Sequence, residues 1–538
     1  MQKRTYFLTF LSTVLSLRGS SVVRQPLRDP ESGSLLCWNG EAWKIGDQSI
    51  QGSDAEYVFD LFLNATKRHR DNADHTPASP NHSLQGVVDI LSSITGPYAF
   101  VLYDAQHHRV FYGRDALGRR SLLISRHTTK SIVLSSVCDT ADSEHCMEVE
   151  ADGIYVLDLT ANVDLSNDVD RVTHVPWVFD RSKSVLTGTL RSPFPKFNTE
   201  VRAHPIPALN QDSPAMNDLF QKLQRSLSLR THGIPLPPCQ SVAPARVAVL
   251  FSGGLDCTVL ARMLHDALPK EQDIDLLNVA FENPRVVKAA GASQLPKIVR
   301  SAYSLCPDRI TGLSAYSELL AICPGRMWRF VSIDIPFTDT QAHRSQVISL
   351  IHPHNTEMDL SIAYALYFAA RGIGTVHIEN GDHAVHYTTP ARVLLSGLGA
   401  DELFGGYTRH ATAFKSRGYP GLADELELDF NRLGKRNLGR DDRVISHWGK
   451  EVRYPYLDEE LVSWALRLPM WEKCGFGQVD PCTDGSIPLL EPGKKLLRLL
   501  AWKLGLRNAA AEKKRAIQFG ARTAKMEVGK RKGTQTLS

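Results

Sequence analysis

Apolar residues recur along this chain with two different periods, and the period changes part-way. Over residues 1–160 the runs are short and punctuated by turns. Phe100-Val101-Leu102-Tyr103-Asp104 and Val110-Phe111-Tyr112 flank the polar Gln106-His107-His108, which predicts two strands joined by a turn. Helical spacing joins Tyr57, Leu61 and Phe62, and again Val87, Ile90 and Leu91. Together these predict an α+β domain of stacked antiparallel sheets. At the start, Lys3 and Arg4 precede Tyr6-Phe7-Leu8-Thr9-Phe10-Leu11-Ser12-Thr13-Val14-Leu15, which imitates a secretory signal. No small-residue cleavage site follows cleanly, so the run is expected to be a buried β-strand entering the domain.

Residues 161–240 turn to Pro, Ser and polar residues, as in Ser192-Pro193-Phe194-Pro195-Lys196 and Pro235-Leu236-Pro237-Pro238. This predicts a domain connection. Within it Leu219, Phe220, Leu223 and Leu227 make one apolar stripe of a connecting helix. Beyond 240 the pattern becomes solid apolar runs alternating with helical spacing. Val247-Ala248-Val249-Leu250-Phe251 predicts a fully buried strand, followed by a helix through Leu255, Val259, Leu260, Met263 and Leu264. Asp275–Phe281 is a second buried strand and Val393-Leu394-Leu395 a third. Between them Ile362, Leu366 and Ala369 share one face of a helix within Asp359–Arg371. Pro492, Leu496, Leu499, Leu500 and Gly505 delimit another. Strands alternating with helices predict a doubly wound parallel sheet, whose ligands bind beyond the strand carboxyl ends.

Composition adds little to this outline. The 538 residues call for two or three domains, and 43% hydrophobic with 22% charged content is ordinary for globular proteins. The net charge is only +4, but Lys494 to Lys532 holds 13 basic residues against Glu512 and Glu527. Within it, Lys530-Arg531-Lys532 reads as a tail, residues 526–538, rather than a nucleic-acid surface. Nine cysteines without a CxxC spacing fit a reducing compartment, and the cytoplasm is the expected location. No run reaches the roughly 18 apolar residues that span a bilayer, so no membrane role is expected.

The chemistry concentrates in two glycine turns at strand ends. Ser252-Gly253-Gly254-Leu255-Asp256 lies between a buried strand and a helix N-terminus. Backbone N–H groups, small residues and the helix dipole there suit a phosphate. It is neither a Walker loop nor a dinucleotide fingerprint. Ser396-Gly397-Leu398-Gly399-Ala400-Asp401-Glu402 follows the third strand, continuing to Tyr407. Two such turns can clamp one nucleotide. Magnesium prefers carboxylate oxygens beside phosphate oxygens, which makes Asp256 and Asp401 the candidate metal pair. The competing reading of each is a helix-capping carboxylate. Glu402 is either a substrate contact or a structural partner of an arginine.

The first turn resembles the SGGxDS loop of the pyrophosphate-releasing ATP enzymes. The second resembles the SGxGxDExFxGY block of the asparagine synthetase family, and Arg453 with Tyr454-Pro455-Tyr456-Leu457-Asp458 resembles its R-x-P-[FY]-L-D block. Upstream, Cys37-Trp38-Asn39-Gly40-Glu41-Ala42-Trp43, Gly52-Ser53-Asp54, Gly96–Asp104 and Gly113–Arg120 resemble the glutamine amidotransferase domain of the same family. The resemblance spans most of residues 30–120 and 245–525. It implies an α+β N-terminal-nucleophile glutaminase-like domain over 1–160, then an α/β ATP-pyrophosphatase domain, adenine nucleotide alpha-hydrolase-like, over 241–525.

What the resemblance implies for the site is specific. Asn39, Gly40, Glu41 and Asp54 would contact glutamine; Leu250, Ser252, Gly253, Gly254, Asp256, Val279, Ser396 and Gly397 would contact ATP. Asp401 and a lysine would serve the catalytic step. Glu512-Lys513-Lys514-Arg515-Ala516-Ile517-Gln518-Phe519-Gly520 resembles the family's lysine-containing block, giving Lys514, with Arg515 an equal claimant and a solvated basic run the bland reading. The implied cofactors are ATP and Mg²⁺, and the implied partners are glutamine, aspartate, ATP and a second copy of the chain. The expected reaction is adenylation of aspartate followed by amide formation with nitrogen from glutamine or ammonia. Two departures qualify it. The family's nucleophilic cysteine follows the initiator, whereas this chain opens Met1-Gln2: either the glutaminase lacks its nucleophile or the true start lies upstream. Leu398 replaces a glutamate that assists ammonia's attack, so a pseudo-synthetase that binds ATP or a protein stays open beside the enzyme, as does another adenylating ligase of this loop class.

Overall fold

The computed structural model describes residues 7–19, 21–67, 81–126, 131–138, 145–160, 172–179, 189–200, 208–236, 245–291, 301–377, 383–478, 489–526 and 533–537. Contacts divide the chain into two compact units, Met1–Pro195 with Leu433–Asp442, and Lys196–Arg432 with Arg443–Ser538.

The first unit contains β1 (Leu27–Arg28), β2 (Leu35–Gly40), β3 (Lys44–Ile45), β4 (Gln48–Ser49), β5 (Ile94–Thr95), β6 (Tyr98–Asp104) and β7 (Arg109–Arg114). It continues with β8 (Leu123–Arg126), β9 (Ile132–Ser135), β10 (Cys146–Glu148), β11 (Gly153–Asp158), β12 (Val172–Val178) and β13 (Leu190–Arg191). The main sheet runs β1-β2-β6-β7-β11-β12-β13, beside smaller sheets β10-β8-β9 and β4-β3-β5. Alternation along β6 explains the layering. Tyr98, Phe100 and Leu102 join the core that includes Phe62 and Val87 of the helices Asp54–Thr66 and Asn81–Ser93. Ala99 and Val101 face the other way, toward Leu122 and Ile124 beside the β10-β8-β9 sheet. The hairpin β6–β7 pairs Asp104 with Arg109, and His108 closes it with a left-handed φ of 52°.

Two expectations change here. Residues 7–17 form no strand; Phe7 and Leu11 are 93% and 88% exposed, and only Leu17 is buried. β1 is only two residues long, and the N-terminal run forms no ladder with it. It is held instead by side chains, Ser12 Oγ lying 3.2 Å from Cys37 Sγ and the Phe10 ring 6.5 Å from that of Tyr103. The unit also extends beyond residue 160, through β12 and β13, and takes in Leu433–Asp442. That segment is fixed by Arg120, whose guanidinium meets Asp442 Oδ1 at 3.0 Å, while Ser121 N–H donates to Oδ2 at 2.9 Å.

The second unit contains β14 (Val247–Leu250), β15 (Ile274–Phe281), β16 (Trp328–Ile335), β17 (Ile373–His377), β18 (Ala384–Thr388), β19 (Val393–Leu395) and β20 (Glu451–Arg453). They order as β18-β17-β16-β15-β14-β19-β20. The five strands β16, β15, β14, β19 and β20 are parallel, and every residue of β15 is buried. The sheet is mixed rather than wholly parallel, because β17 and β18 form an antiparallel edge. A short reversal suffices there: the helix Glu357–Arg371 ends on Gly372, whose φ of 69° turns the chain directly into β17.

The helix Pro214–Thr231, expected within a connection, is part of this unit's core, with Leu219, Leu223 and Leu227 fully buried. Its Ser226 Oγ donates to Pro455 O, and its Arg230 pairs with Asp458 at 2.8 Å. Residues 533–537 return to the start of helix Glu357–Arg371, where Gln535 O and Gly533 O accept from the N–H groups of Glu357 and Met358. Lys530-Arg531-Lys532 lies outside the described residues. Among the described residues no helix is long and apolar enough to cross a membrane.

Candidate active site

Both glycine turns stand at the carboxyl ends of adjacent parallel strands, β14 and β19, with β15 on the other side of β14. Gly253 has a φ of 78°, and a Cβ there would overlap the backbone of Thr311 and Gly312. Its absence lets the loop lie directly on the helix Pro307–Ile322. Thr311 Oγ1 donates to Ser252 O at 2.8 Å, and Asn278 Nδ2 donates to both Phe251 O and Asp308 O. Gly254 is the N-cap of helix Leu255–Ala267, so Asp256 faces the turn from the first helical turn. The second loop abuts the first: a Cβ on Gly397 would stand 2.9 Å from Asp256 Cβ.

Between the turns sits a residue that the periodicity did not single out. Lys494 Nζ lies 2.8 and 2.9 Å from the two oxygens of Asp256 and 2.8 Å from Asp401 Oδ1. Its side chain is only 3% exposed, and its backbone is left-handed at φ 57°. Such a conformation is uncommon for a side-chain-bearing residue and is held here by its N–H donating to Phe404 O. The available signal was Pro492-Gly493-Lys494-Lys495, a turn emptying into a helix, which carries no hint of what the lysine meets. Lys514, the residue taken from the basic run, also arrives, with Nζ 2.6 Å from Asp401 Oδ2.

Charge explains how the carboxylates divide. Burial alone would raise Asp401, but the ammonium groups of Lys494 and Lys514 hold it well below the ordinary carboxylate range. Burial pushes Asp256 up, opposed by Lys494 and reinforced by the Asp401 charge. For Lys494 burial favours deprotonation, yet Asp256 and Asp401 together keep its pKa above the usual lysine value. Neither aspartate acts as a helix cap. Glu402, by contrast, is structural: it accepts from Tyr407 O–H at 2.5 Å and from Gly399 N–H at 3.2 Å, not from an arginine. Burial, with the Asp401 charge, pushes Glu402 up to about 7.

The residues present suit magnesium. Asp256 and Asp401 converge on one cation, the Lys494 ammonium, so the two carboxylates already hold positive charge between them at the meeting point of the turns. A Cβ on Gly406 would overlap Asp401 Oδ1 and crowd Lys494 Cε, so the glycine leaves room for that carboxylate and its lysine to meet. Leu250, Ser252, Ser396 and Gly397 line the ends of β14 and β19, and Val279 lies on neighbouring β15. Leu398 donates its backbone N–H to Ser396 Oγ at 3.3 Å and brings only an aliphatic side chain to the turn.

In the first unit the candidate glutamine contacts gather where β2 ends. Gly40 packs so closely on Pro97 and Tyr98 that no Cβ fits. Asp54 Oδ2 accepts from Trp38 Nε1 at 3.0 Å and from Ala42 N–H at 2.8 Å, and burial raises its pKa. Glu41 is buried, while Asn39 is exposed. Arg18, also missed from the sequence, donates to Ala42 O and Ile50 O, each at 2.6 Å, and lies 3.6 Å from Glu41. Cys37 lies mid-strand in β2, its thiol raised by burial, and Ser12 rather than a base stands beside it.

Profiles of known families locate two matches along the chain. The Asparagine synthase profile matches residues 383–421 and 411–501, and the Glutamine amidotransferase domain profile matches 15–142. Asparagine synthetase domain-containing protein 1 of Bos taurus is 31% identical across 98% of this chain and 90% of its own length. The chain belongs to the asparagine synthetase family. The Homo sapiens protein of the same name is 32% identical across 97% of this chain and 89% of its own. Asparagine synthetase [glutamine-hydrolyzing] 1 of Saccharomyces cerevisiae is 22% identical across 86% of this chain and 69% of its own. The first unit is thus a glutamine amidotransferase-type fold and the second an asparagine synthetase domain of this family.

Proposed function

We propose that the second unit adenylates a carboxylate with ATP and Mg²⁺, and that aspartate amidation with nitrogen from glutamine or ammonia is the reaction served. The observation that supports this reading most is Lys494, buried between Asp256 and Asp401 at the meeting point of two glycine turns. A substrate carboxylate oxygen would attack the α-phosphorus, forming an O–P bond and releasing pyrophosphate. Ammonia would then attack the acyl carbon, forming the C–N bond as AMP leaves with the C–O electron pair. Asp256 and Asp401 would hold Mg²⁺, which supplies charge neutralisation at the phosphates. Lys494 and Lys514 would offset the charge growing on the departing pyrophosphate. In the first unit, Arg18, Asn39, Gly40, Glu41 and Asp54 would hold glutamine. Every cysteine among the described residues is a free thiol, which is compatible with a reducing compartment such as the cytoplasm.

Leu398 favours a second reading, an ATP-binding relative that stops short of amide transfer. Removing a general base typically costs about 10²- to 10⁴-fold. Aspartate-dependent pyrophosphate release with ammonium, beside an Asp256→Ala control, tests the first reading. Release abolished in the control supports it, and no release from the unaltered protein refutes it. AMP formed without asparagine would indicate that another acceptor takes the acyl group.

A further inference from the structure

The third element of the cleft contributes a carboxylate that the steps above leave unused. Asp308, in the first turn of helix Pro307–Ile322, is 7% exposed and makes no side-chain hydrogen bond among the described residues. Its backbone is tied to the phosphate loop through Asn278, which also holds Phe251 O, and Thr311 of the same helix holds Ser252 O. Its side chain reaches the basic segment. Both carboxylate oxygens press against Gly520, where any Cβ would overlap them, and Arg515 stands 4.0 Å away. Residues 512–516, which carry Lys514 and Arg515, have no regular secondary structure. They are fastened by side chains and single backbone contacts, among them ion pairs of Lys513 with Glu491 at 4.0 Å and of Arg515 with Glu512 at 3.9 Å. Arg498 donates to Glu512 O on one side, Cys306 Sγ to Gly520 O on the other, and Lys514 meets Asp401 in between.

We propose that Asp308 is a positioning residue: ionised, it anchors Arg515 and so sets the segment carrying Lys514 against the phosphates of the bound nucleotide. This rests on the ATP reading of the cleft. The groups facing Asp308 are Arg515, Lys514 and Glu512 from the basic segment, with Cys306 beside it on its own helix. Burial, only partly offset by Arg515 and Lys514, pushes its carboxyl up to about 7. The anchor is therefore strengthened as pH rises through neutrality and released below it.

Mg·ATP affinity of the full chain, measured by calorimetry from pH 6 to 8.5, tests this. Expected for Asp308→Asn is roughly tenfold weaker binding at pH 8, about 1.4 kcal/mol, with the wild type's weakening toward pH 6 abolished. Arg515→Gln should match it, and the double variant should be no weaker than either single one, since both break one linkage. Gly520→Ala, which displaces the carboxylate without removing it, should weaken ATP similarly. Wild-type affinity and pH dependence retained in Asp308→Asn would overturn the proposal alone. Additive losses in the double variant would overturn it too. Absence of Mg·ATP binding by the wild-type chain would overturn the nucleotide reading together with it.

Discussion

Replacing Lys494 by methionine tests the electrostatics of the cleft most directly. The change keeps the length of the side chain and removes the cation that lies 2.8 Å from both Asp256 Oδ1 and Asp401 Oδ1. Asp401 would keep Lys514 at 2.6 Å, so the main loss falls on Asp256. Breaking a buried pair by removing one partner costs about 3–5 kcal/mol. Asp256 retains 20% side-chain exposure, which places this case at the lower end, ~3 kcal/mol. The cost has a defined pH dependence. Without Lys494 the folded-state pKa of Asp256 rises further above its unfolded value of about 3.9. The variant is then close to wild type below about pH 4, and its deficit grows as pH climbs toward and through the raised value. Calorimetric unfolding from pH 4.5 to 8 should show the second unit's transition falling by on the order of 5 °C at pH 7.5, with a smaller gap at pH 4.5. Adding Asp256→Asn should recover most of the lost stability. A gap that is the same at both pH values, or no recovery in the double variant, would refute the assignment of Lys494 as the shared counter-ion.

Gly406→Ala places a methyl group over Asp401 Oδ1, with Lys494 Cε 2.9 Å away, so pyrophosphate release should fall about 10²-fold in a protein with unchanged circular dichroism. Lys473, buried with Nζ 2.7 Å from Ala465 O, has its pKa pushed by burial from 10.5 to about 8. Between those values the unfolded chain binds a proton that the native one does not, so stability rises with pH. Relative to Lys473→Met, the wild type should gain up to ~3 kcal/mol between pH 7.5 and 10.5 in urea titrations. Arg18→Gln removes the donor to Ala42 O and Ile50 O and should weaken glutamine binding by tenfold or more in calorimetry, with Mg·ATP binding unchanged.

Much of this was legible where the physics is local. Val247–Phe251 followed by Ser252-Gly253-Gly254 specifies strand, turn and helix within a dozen residues, because burial and glycine freedom act over that range. What escaped depends on contacts distant along the chain. Lys494 acquires its meaning from Asp256, 238 positions earlier, and a lysine at a turn looks the same whether it faces water or two carboxylates. Asp308 reads as an ordinary first-turn acid until Gly520 is brought against it. Residues 7–17 misled because an apolar run says that burial is favourable, not that the backbone pairs with a neighbouring strand. Leu433–Asp442 joins the first unit through Arg120 and Asp442, whose partnership no periodicity encodes.

The glycines of the second turn each answer to a different neighbour: Gly397 to Asp256, Gly399 to Leu457, Gly406 to Asp401. Leu398 stands among them, half-buried, with its backbone N–H donating to Ser396 Oγ. The turn is thus a socket that presents one side chain between glycines whose neighbours leave no room for another. On the proposed reading, exchanging the group presented at that position would change the fate of an activated acyl group while leaving the residues proposed to hold the nucleotide unaltered.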